Sequence, residues 1–151
     1  MTNSTPAPAV EYDEFGVRLP LVDPAGSVHL HVPATHAHLT IVRSTVAASV
    51  ARGGVTVDDV DDLRLAAHEA CNLLIDDAIE NAFMTVSLLI KDDQVHLACS
   101  TLTRREDPLP SDTLSWTVLS TLVSSISNRI DPQHPHRLLR INIQHSVQIP
   151  S

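Results

Sequence analysis

The chain reads as an α+β protein, a two-layer sandwich in which helices cover one face of a mostly antiparallel sheet. Three observations predict this. "FMTVSLLIK" and "QVHLACSTL" flank Asp92-Asp93, a hairpin signal that holds even without a glycine. Three other stretches repeat apolar residues at steps of three and four, as core-facing helices do. "SVHLHVP" alternates apolar and polar positions, and "RLLRINIQHSV" closes the chain as a further strand.

Each element follows from its residues. Pro6, Pro8, Pro20 and Pro24 break regular structure over residues 1–26, which read as a flexible tail; "FGVRLPLV" adds at most a short edge strand. In 27–33, Val28, Leu30 and Val32 alternate with Ser27, His29 and His31, and Pro33 ends the strand. Thr35 caps a helix running to about Arg52, with Leu39, Val42, Val46 and Val50 on one face and Gly53-Gly54 at its end. Thr56 caps the next helix, whose first turns carry Asp58, Asp59, Asp61 and Asp62 near the positive end of the dipole. Its apolar stripe is Val60, Leu63, Ala67, Ala70 and Leu74; Asp62, Leu65, Glu69, Asn72 and Asp76 occupy the other side. After the hairpin, "RREDPLP" is a loop and Asp112 caps a helix over 113–130, with Leu114, Val118, Leu122 and Ile126 inward. "DPQHPH" turns the chain into the strand 137–147. The order is β-α-α-β-β-α-β: one domain over 27–147, with a C-terminal tail at 148–151.

Composition narrows the function. A hydrophobic share of 43% with 19% charged residues is that of an ordinary soluble globular domain. Eighteen acids against ten bases give a net charge of −8, which argues against nucleic acid and suits a basic protein surface. Cys71 and Cys99 stand apart, without CxxC or metal spacing, as reduced core thiols do. No signal peptide opens the chain and no apolar run spans a membrane, so a cytoplasmic protein is expected.

The histidine pairs His29-x-His31, His36-x-His38 and His134-x-His136 lack a third ligand with matching spacing, so no metal site is assigned. There is no GxSxG, P-loop or GxGxxG, and only four glycines. Phosphates are cradled closely by backbone amides only where side chains are absent. What remains is Glu69-x-x-Asn72, a polar pair on one helix stripe. By itself such a pair is simply the solvated side of a helix.

The segment "HLTIVRSTVAASVARGGVTVDDVDDLRLAAHEACNLLID" resembles the first two helices of the RsbW/SpoIIAB anti-sigma factors. These are serine-protein kinases of the histidine-kinase-like (Bergerat, GHKL) ATPase superfamily. "DDLRLA" followed by "EAC", then a hairpin and a helix with "SWTVLSTLV", is similar to the actinobacterial branch. The resemblance covers residues 27–146, and "DLRLA" with "EAC" is its specific part.

The resemblance implies a Bergerat-type sandwich, a cytoplasmic homodimer, and two partners: an alternative sigma factor and an anti-anti-sigma protein of the STAS type. In active members the N-box is Glu-x-x-x-Asn, the Glu a general base and the Asn a Mg²⁺ ligand. Glu69 matches the base, but the position four on is Leu73, which offers no oxygen to a hard cation. Asn72, the candidate cofactor residue, falls one place early, about 100° around the helix. Near "STLTRREDPLP", where a glycine-rich D-x-G-x-G box is expected, there is Asp107 and no glycine; the second glycine-rich box is also missing. The ATP site reads as eroded, so no cofactor is assigned, and Mg-ATP enters only if the degenerate site works. Arg43 matches an Arg that the family uses on its partner face; alone it would be a surface arginine. Trp116 is expected in the core. An anti-sigma factor released by partner switching is the first reading. An active Mg-ATP-dependent serine kinase acting on an anti-anti-sigma factor is the second, and a dimerisation module without a sigma partner the third.

Overall fold

The structure is a computed structural model that describes residues 11–12, 18–19 and 26–148. Strands β1 (Glu11–Tyr12) and β2 (Arg18–Leu19) pair antiparallel with each other, apart from the main sheet. Most of the expected tail, 1–26, lies outside the described residues. Where "FGVRLPLV" is described, it pairs with β1 and not with an edge of the main sheet.

β3 (Val28–Pro33) is followed by a short 3₁₀ turn (His36–His38), which Thr35 steadies by placing its Oγ1 2.7 Å from His38 Nδ1. α1 (Leu39–Ala51) then buries Leu39, Val42, Val46 and Val50, the stripe read from the sequence. Gly54 ends the connection at φ 73°, and Gly53 passes so close to the sheet that a Cβ there would meet Ile90 Cδ1 at 2.7 Å. α2 (Val57–Asp77) starts at Thr56, whose hydroxyl accepts from Asp59 N–H at 3.2 Å. It buries Leu63, Ala66, Ala67, Ala70, Cys71 and Leu74, and leaves Val60 half-buried.

β4 (Phe83–Lys91) and β5 (Gln94–Thr103) form the expected hairpin. Asp92 and Asp93 both adopt positive φ (52° and 61°), the backbone of a two-residue turn that matches strand twist. The chain continues through α3 (Leu114–Leu122), β6 (Ser125–Gln133) and β7 (His136–Ser146). The five-stranded sheet has the order β3-β4-β5-β7-β6, with every neighbouring pair antiparallel. Met84, Val86 and Leu88, Val95, Leu97 and Cys99, and Leu139, Ile141 and Ile143 point from its three central strands into one buried cluster with the helices. The α+β sandwich with helices on one face is therefore as read.

One element differs. The helix expected over 113–130 stops at Leu122, and its second half is β6, a strand the order β-α-α-β-β-α-β lacks. Thr113, not Asp112, is the cap, its hydroxyl accepting from Trp116 N–H at 3.3 Å. That start turns Trp116 and Leu119 inward and leaves Leu114 81% exposed. From Ser125 onward the residues alternate: Ile126, Asn128 and Ile130 half-buried, Ser125, Ser127 and Arg129 exposed. Period two selects a strand here, and pairing with β7 fixes it. "DPQHPH" is correspondingly no six-residue turn, since only residues 134–135 lie between the two strands.

The end of β7 is tied to the start of α2. His145 Nε2 lies 3.1 Å from Asp59 Oδ1, and Gln148 N–H donates to Asp59 Oδ2 at 3.4 Å. Ser124 Oγ accepts from Ser146 N–H and lies 3.4 Å from His145 Nδ1, so the same tether holds the α3–β6 connection.

Candidate functional site at the end of α2

Glu69, Leu73 and Asp77 follow one another at steps of four along α2 and so form one row on its surface. Glu69 and Leu73 are both half-buried. Asn72 is also half-buried but stands about 60° from Glu69 around the axis, outside that row. The two sequence-predicted residues therefore share a side of the helix without converging on one point. Nothing in the row supplies a second oxygen ligand until Asp77.

Asp77 is already engaged. After Ala78 the chain bridges to Thr103, and Ile79 N–H donates to Leu102 C=O at 3.0 Å, which brings the loop after β5 against the end of α2. Arg105, in that loop, sets Nη1 3.3 Å from Asp77 Oδ1. The same guanidinium donates from Nε to Asp107 C=O at 3.1 Å and from Nη2 to Pro108 C=O at 3.3 Å. Its backbone N–H donates to the hydroxyl of buried Thr103. Further along, Asn128 of β6 grips Leu109 on both sides, accepting its N–H at 2.6 Å and donating to its C=O at 3.2 Å. Leu109 itself is buried in the core cluster.

A cleft of about 340 Å³ opens between these elements, lined by Asp76, Asp77, Glu80, Thr103, Arg104 and Arg105. Neither Glu69 nor Asn72 lines it. Three carboxylates face two guanidiniums there, and one of the guanidiniums is held by Asp77 and two carbonyls. Among the described residues no group of three His, Cys, Asp or Glu side chains is arranged to hold a metal ion.

Arg43 lies apart from this cleft, in the seam between α1 and α2. It is half-buried, donating from Nη2 to Thr40 Oγ1 at 3.1 Å, with Nη1 3.4 Å from His68 Nδ1. Because arginine only donates, His68 Nδ1 is the acceptor and the ring proton sits on Nε2. His68 directly precedes Glu69, so the seam joins the candidate partner residue to the candidate base. His68, Asp77 and Asn128 were not singled out in the sequence. Asn128 fell in the stretch read as a helix, so only the strand β6 shows that it faces inward and must find partners.

The chain is similar to the anti-sigma-F factor RsbW of Mycobacterium tuberculosis, with 29% identity over 109 residues, 72% of this chain. It spans 65% of the length of that relative. It is also similar to the serine-protein kinase RsbW of Halalkalibacterium halodurans, 32% identical over 72 residues, which cover 47% of this chain and 44% of that protein. A third relative, the serine-protein kinase RsbW of Bacillus thuringiensis, is 23% identical over 119 residues, covering 66% of this chain and 74% of its own. No family model matches the chain. Sequence similarity and the five antiparallel strands under three helices agree with the Bergerat-type sandwich that the resemblance implies, and the chain is RsbW-like.

Proposed function

We propose that this chain is an anti-sigma factor that sequesters an alternative sigma factor, working in the cytoplasm as a homodimer. The similarity to proteins named anti-sigma-F factor RsbW carries the reading. Release comes when an anti-anti-sigma protein of the STAS type competes for an overlapping surface, a switch set by differential affinity. The α1–α2 seam suits such a surface. Arg43 supplies a fixed cation, and Leu65, 43% exposed on the outer side of α2, supplies an apolar contact. The acids of α2 favour encounter with a basic partner.

In this reading the ATP site is eroded. Leu73 stands where a Mg²⁺ ligand is required, no glycine lies in the loop after β5, and Arg105 and Asn128 close that loop on itself. A working Mg-ATP-dependent serine kinase is the second reading. It is favoured by Glu69 and by the relatives named serine-protein kinase. The test is complex formation between the full chain and purified alternative sigma factors of the same organism, by size-exclusion chromatography with light scattering. A stoichiometric complex dissolved by a STAS protein is expected. Absence of any complex at low salt overturns the proposal.

A further inference from the structure

The helices cover one face of the sheet, and the residues that alternate with the core ones form rows across the other. Strand pairing sets Leu102, Leu138 and Asp131 in one row and His31, Thr85, Ser100, Arg140 and Arg129 in the next. A cleft of about 360 Å³ opens where these rows meet the turn after α2. Phe83, Leu102, Leu138 and Ile79 give it an apolar wall, Thr85 and Ser100 give it a hydroxyl rim, and among the described residues no carboxylate lines it. Its open edge is held in shape. Phe83, 44% exposed, stacks on His31 with ring centroids 4.6 Å apart, and its C=O accepts from the Thr101 hydroxyl at 2.8 Å.

Charge beside the cleft is unbalanced. Arg140 and Arg129 stand directly opposite each other on β7 and β6, a like-charge pairing that costs stability unless an anion intervenes. Among the described residues Asp131 is the one carboxylate in ion-pair range, 3.0 Å from Arg129 Nε and 3.6 Å from Arg140 Nε. The longer distance is too great for a hydrogen bond, so Arg140 Nε is buried without an acceptor while 31% of the side chain stays open. Ser100 is the cross-strand neighbour of Arg140, and its hydroxyl has no hydrogen-bond partner among the described residues. One under-neutralised cation and one unpaired hydroxyl thus lie side by side at the rim of an apolar cleft.

We propose that this cleft is a binding site for a small aromatic carboxylate. The ring lies along the apolar wall beside Phe83, and the carboxylate accepts from the Ser100 hydroxyl and the open part of the Arg140 guanidinium. Cross-strand neighbours carry their Cβ atoms about 5 Å apart, close enough for one carboxylate to meet both donors. The ligand's charge leaves Asp131 to Arg129 and gives Arg140 an anion of its own. Both halves of the ligand are needed. A bare phosphate gains nothing from the apolar wall, and a neutral aromatic leaves the guanidinium as it was. A cleft of this size, mostly apolar with a few polar groups on one side, is the usual form of a small-molecule site. It lies on the opposite face of the sheet from the α1–α2 seam, so the inference stands whether or not the anti-sigma reading does.

The test titrates the isotope-labelled full chain with phenylacetate and follows its amide resonances, with phenylacetamide and inorganic phosphate as comparison probes. Saturable shifts of Thr85, Ser100 and Leu102 are expected with phenylacetate, and affinity about tenfold weaker or worse for either comparison probe. Arg140→Gln should weaken phenylacetate about tenfold, and Ser100→Ala severalfold. Should Arg140→Gln disturb the sheet, Ser100→Ala and Phe83→Ala read the same site from positions that are not part of the core. Equal affinity for the amide removes the guanidinium from recognition, and equal affinity for phosphate removes the apolar wall; either result overturns the proposal. So do phenylacetate shifts that fall on α2 instead of the cleft, the absence of any saturable shift, or binding unchanged in both Arg140→Gln and Ser100→Ala.

Discussion

Arg105 crosses from the loop after β5 to the end of α2, where its guanidinium meets the Asp77 carboxylate at 3.3 Å. Both side chains are about a third exposed or less, at 31% and 26%, so the pair is partly sheltered from solvent. Its significance lies in what else the guanidinium holds. Two loop carbonyls bind the other nitrogens, and the loop's far end is gripped by Asn128. The segment after β5 is thereby held as an internal clamp.

Arg105→Ala should loosen that clamp more than it destabilises the protein. A partly exposed ion pair contributes about 0–1 kcal/mol, so the unfolding temperature should fall by only a few degrees. The carbonyls of Asp107 and Pro108 lose their donor, and the loop loses its fixed shape. Trypsin cleavage after Arg104 should become several times faster. Unchanged protection of that bond would mean the loop is held by Leu109 alone.

Asn128 should matter more for stability. Its side-chain amide satisfies the N–H and the C=O of a buried residue, and removing it strands both. Asn128→Ala should cost about 1–3 kcal/mol in urea unfolding. Asn128→Asp keeps the acceptor for the Leu109 N–H, but once ionised it turns a carboxylate oxygen on the Leu109 C=O, so it should cost less only at low pH, where the protonated acid can donate. Equal losses from the two variants would show that packing rather than the hydrogen bonds is at stake.

That strand also marks where the sequence was hard to read. The stripes of α1 and α2 were legible because each buried residue recurs every third or fourth position over several turns. Asp92-Asp93 was legible because two residues between strand-forming runs leave one geometry. Over 113–130, Leu114, Val118, Leu122 and Ile126 mimic a helix by spacing alone, yet Leu114 faces solvent and Ile126 sits in a strand. The alternation of "SISNRI" was present in the sequence, and only pairing with β7 decides between the two periods. For the site, Glu69 and the missing ligand at Leu73 were readable from spacing. The Arg105–Asp77 contact joins residues 28 positions apart, which no local pattern encodes.

Cys71 of α2 and Cys99 of β5 meet inside the core, and both are buried. A hydrogen bond from Cys71, with burial adding to it, pushes the Cys99 thiol well above its ordinary value of 9.0. Folding therefore favours the protonated thiol. Its stabilising contribution is complete below the unfolded value and is lost as pH rises through 9.0 toward the folded value, because the unfolded chain releases its proton first. Resistance to urea should accordingly fall above that pH, and less so in Cys99→Ala. A thiol reagent such as DTNB should not react with the native chain at neutral pH, since reactivity needs an accessible thiolate. Fast labelling of the folded protein would contradict this.

Arg43→Glu should weaken capture of a sigma factor without unfolding the chain. Arg43 is anchored by Thr40 and His68, so its charge is presented in a fixed place, and reversal would set like charge against an acidic patch of the partner. At a rim contact the loss appears in the association rate, and at a buried one it amounts to about 2–5 kcal/mol. His68→Ala should reproduce part of the effect by freeing the guanidinium. A variant that binds as the parent does would remove Arg43 from the contact surface.

ATP binding should be weak or absent, and phosphate transfer with it. Three needs of a nucleotide site can be taken in turn. A candidate base is available in Glu69, half-buried on α2. A Mg²⁺ ligand is not, because Leu73 follows it in the row and Asn72 lies outside that row. Close backbone approach to phosphate fails as well, since the loop after β5 has no glycine and its shape is held by Arg105 and Asn128. The cleft there sets Asp76, Asp77 and Glu80 against Arg104 and Arg105, and Asp77 already occupies one of the two guanidiniums. Restoring one part should therefore not restore the function: Leu73→Asn alone should leave calorimetric titration with Mg-ATP flat. Labelling of a STAS partner from radioactive ATP by the parent chain, abolished by Glu69→Ala, would overturn this and establish the kinase reading.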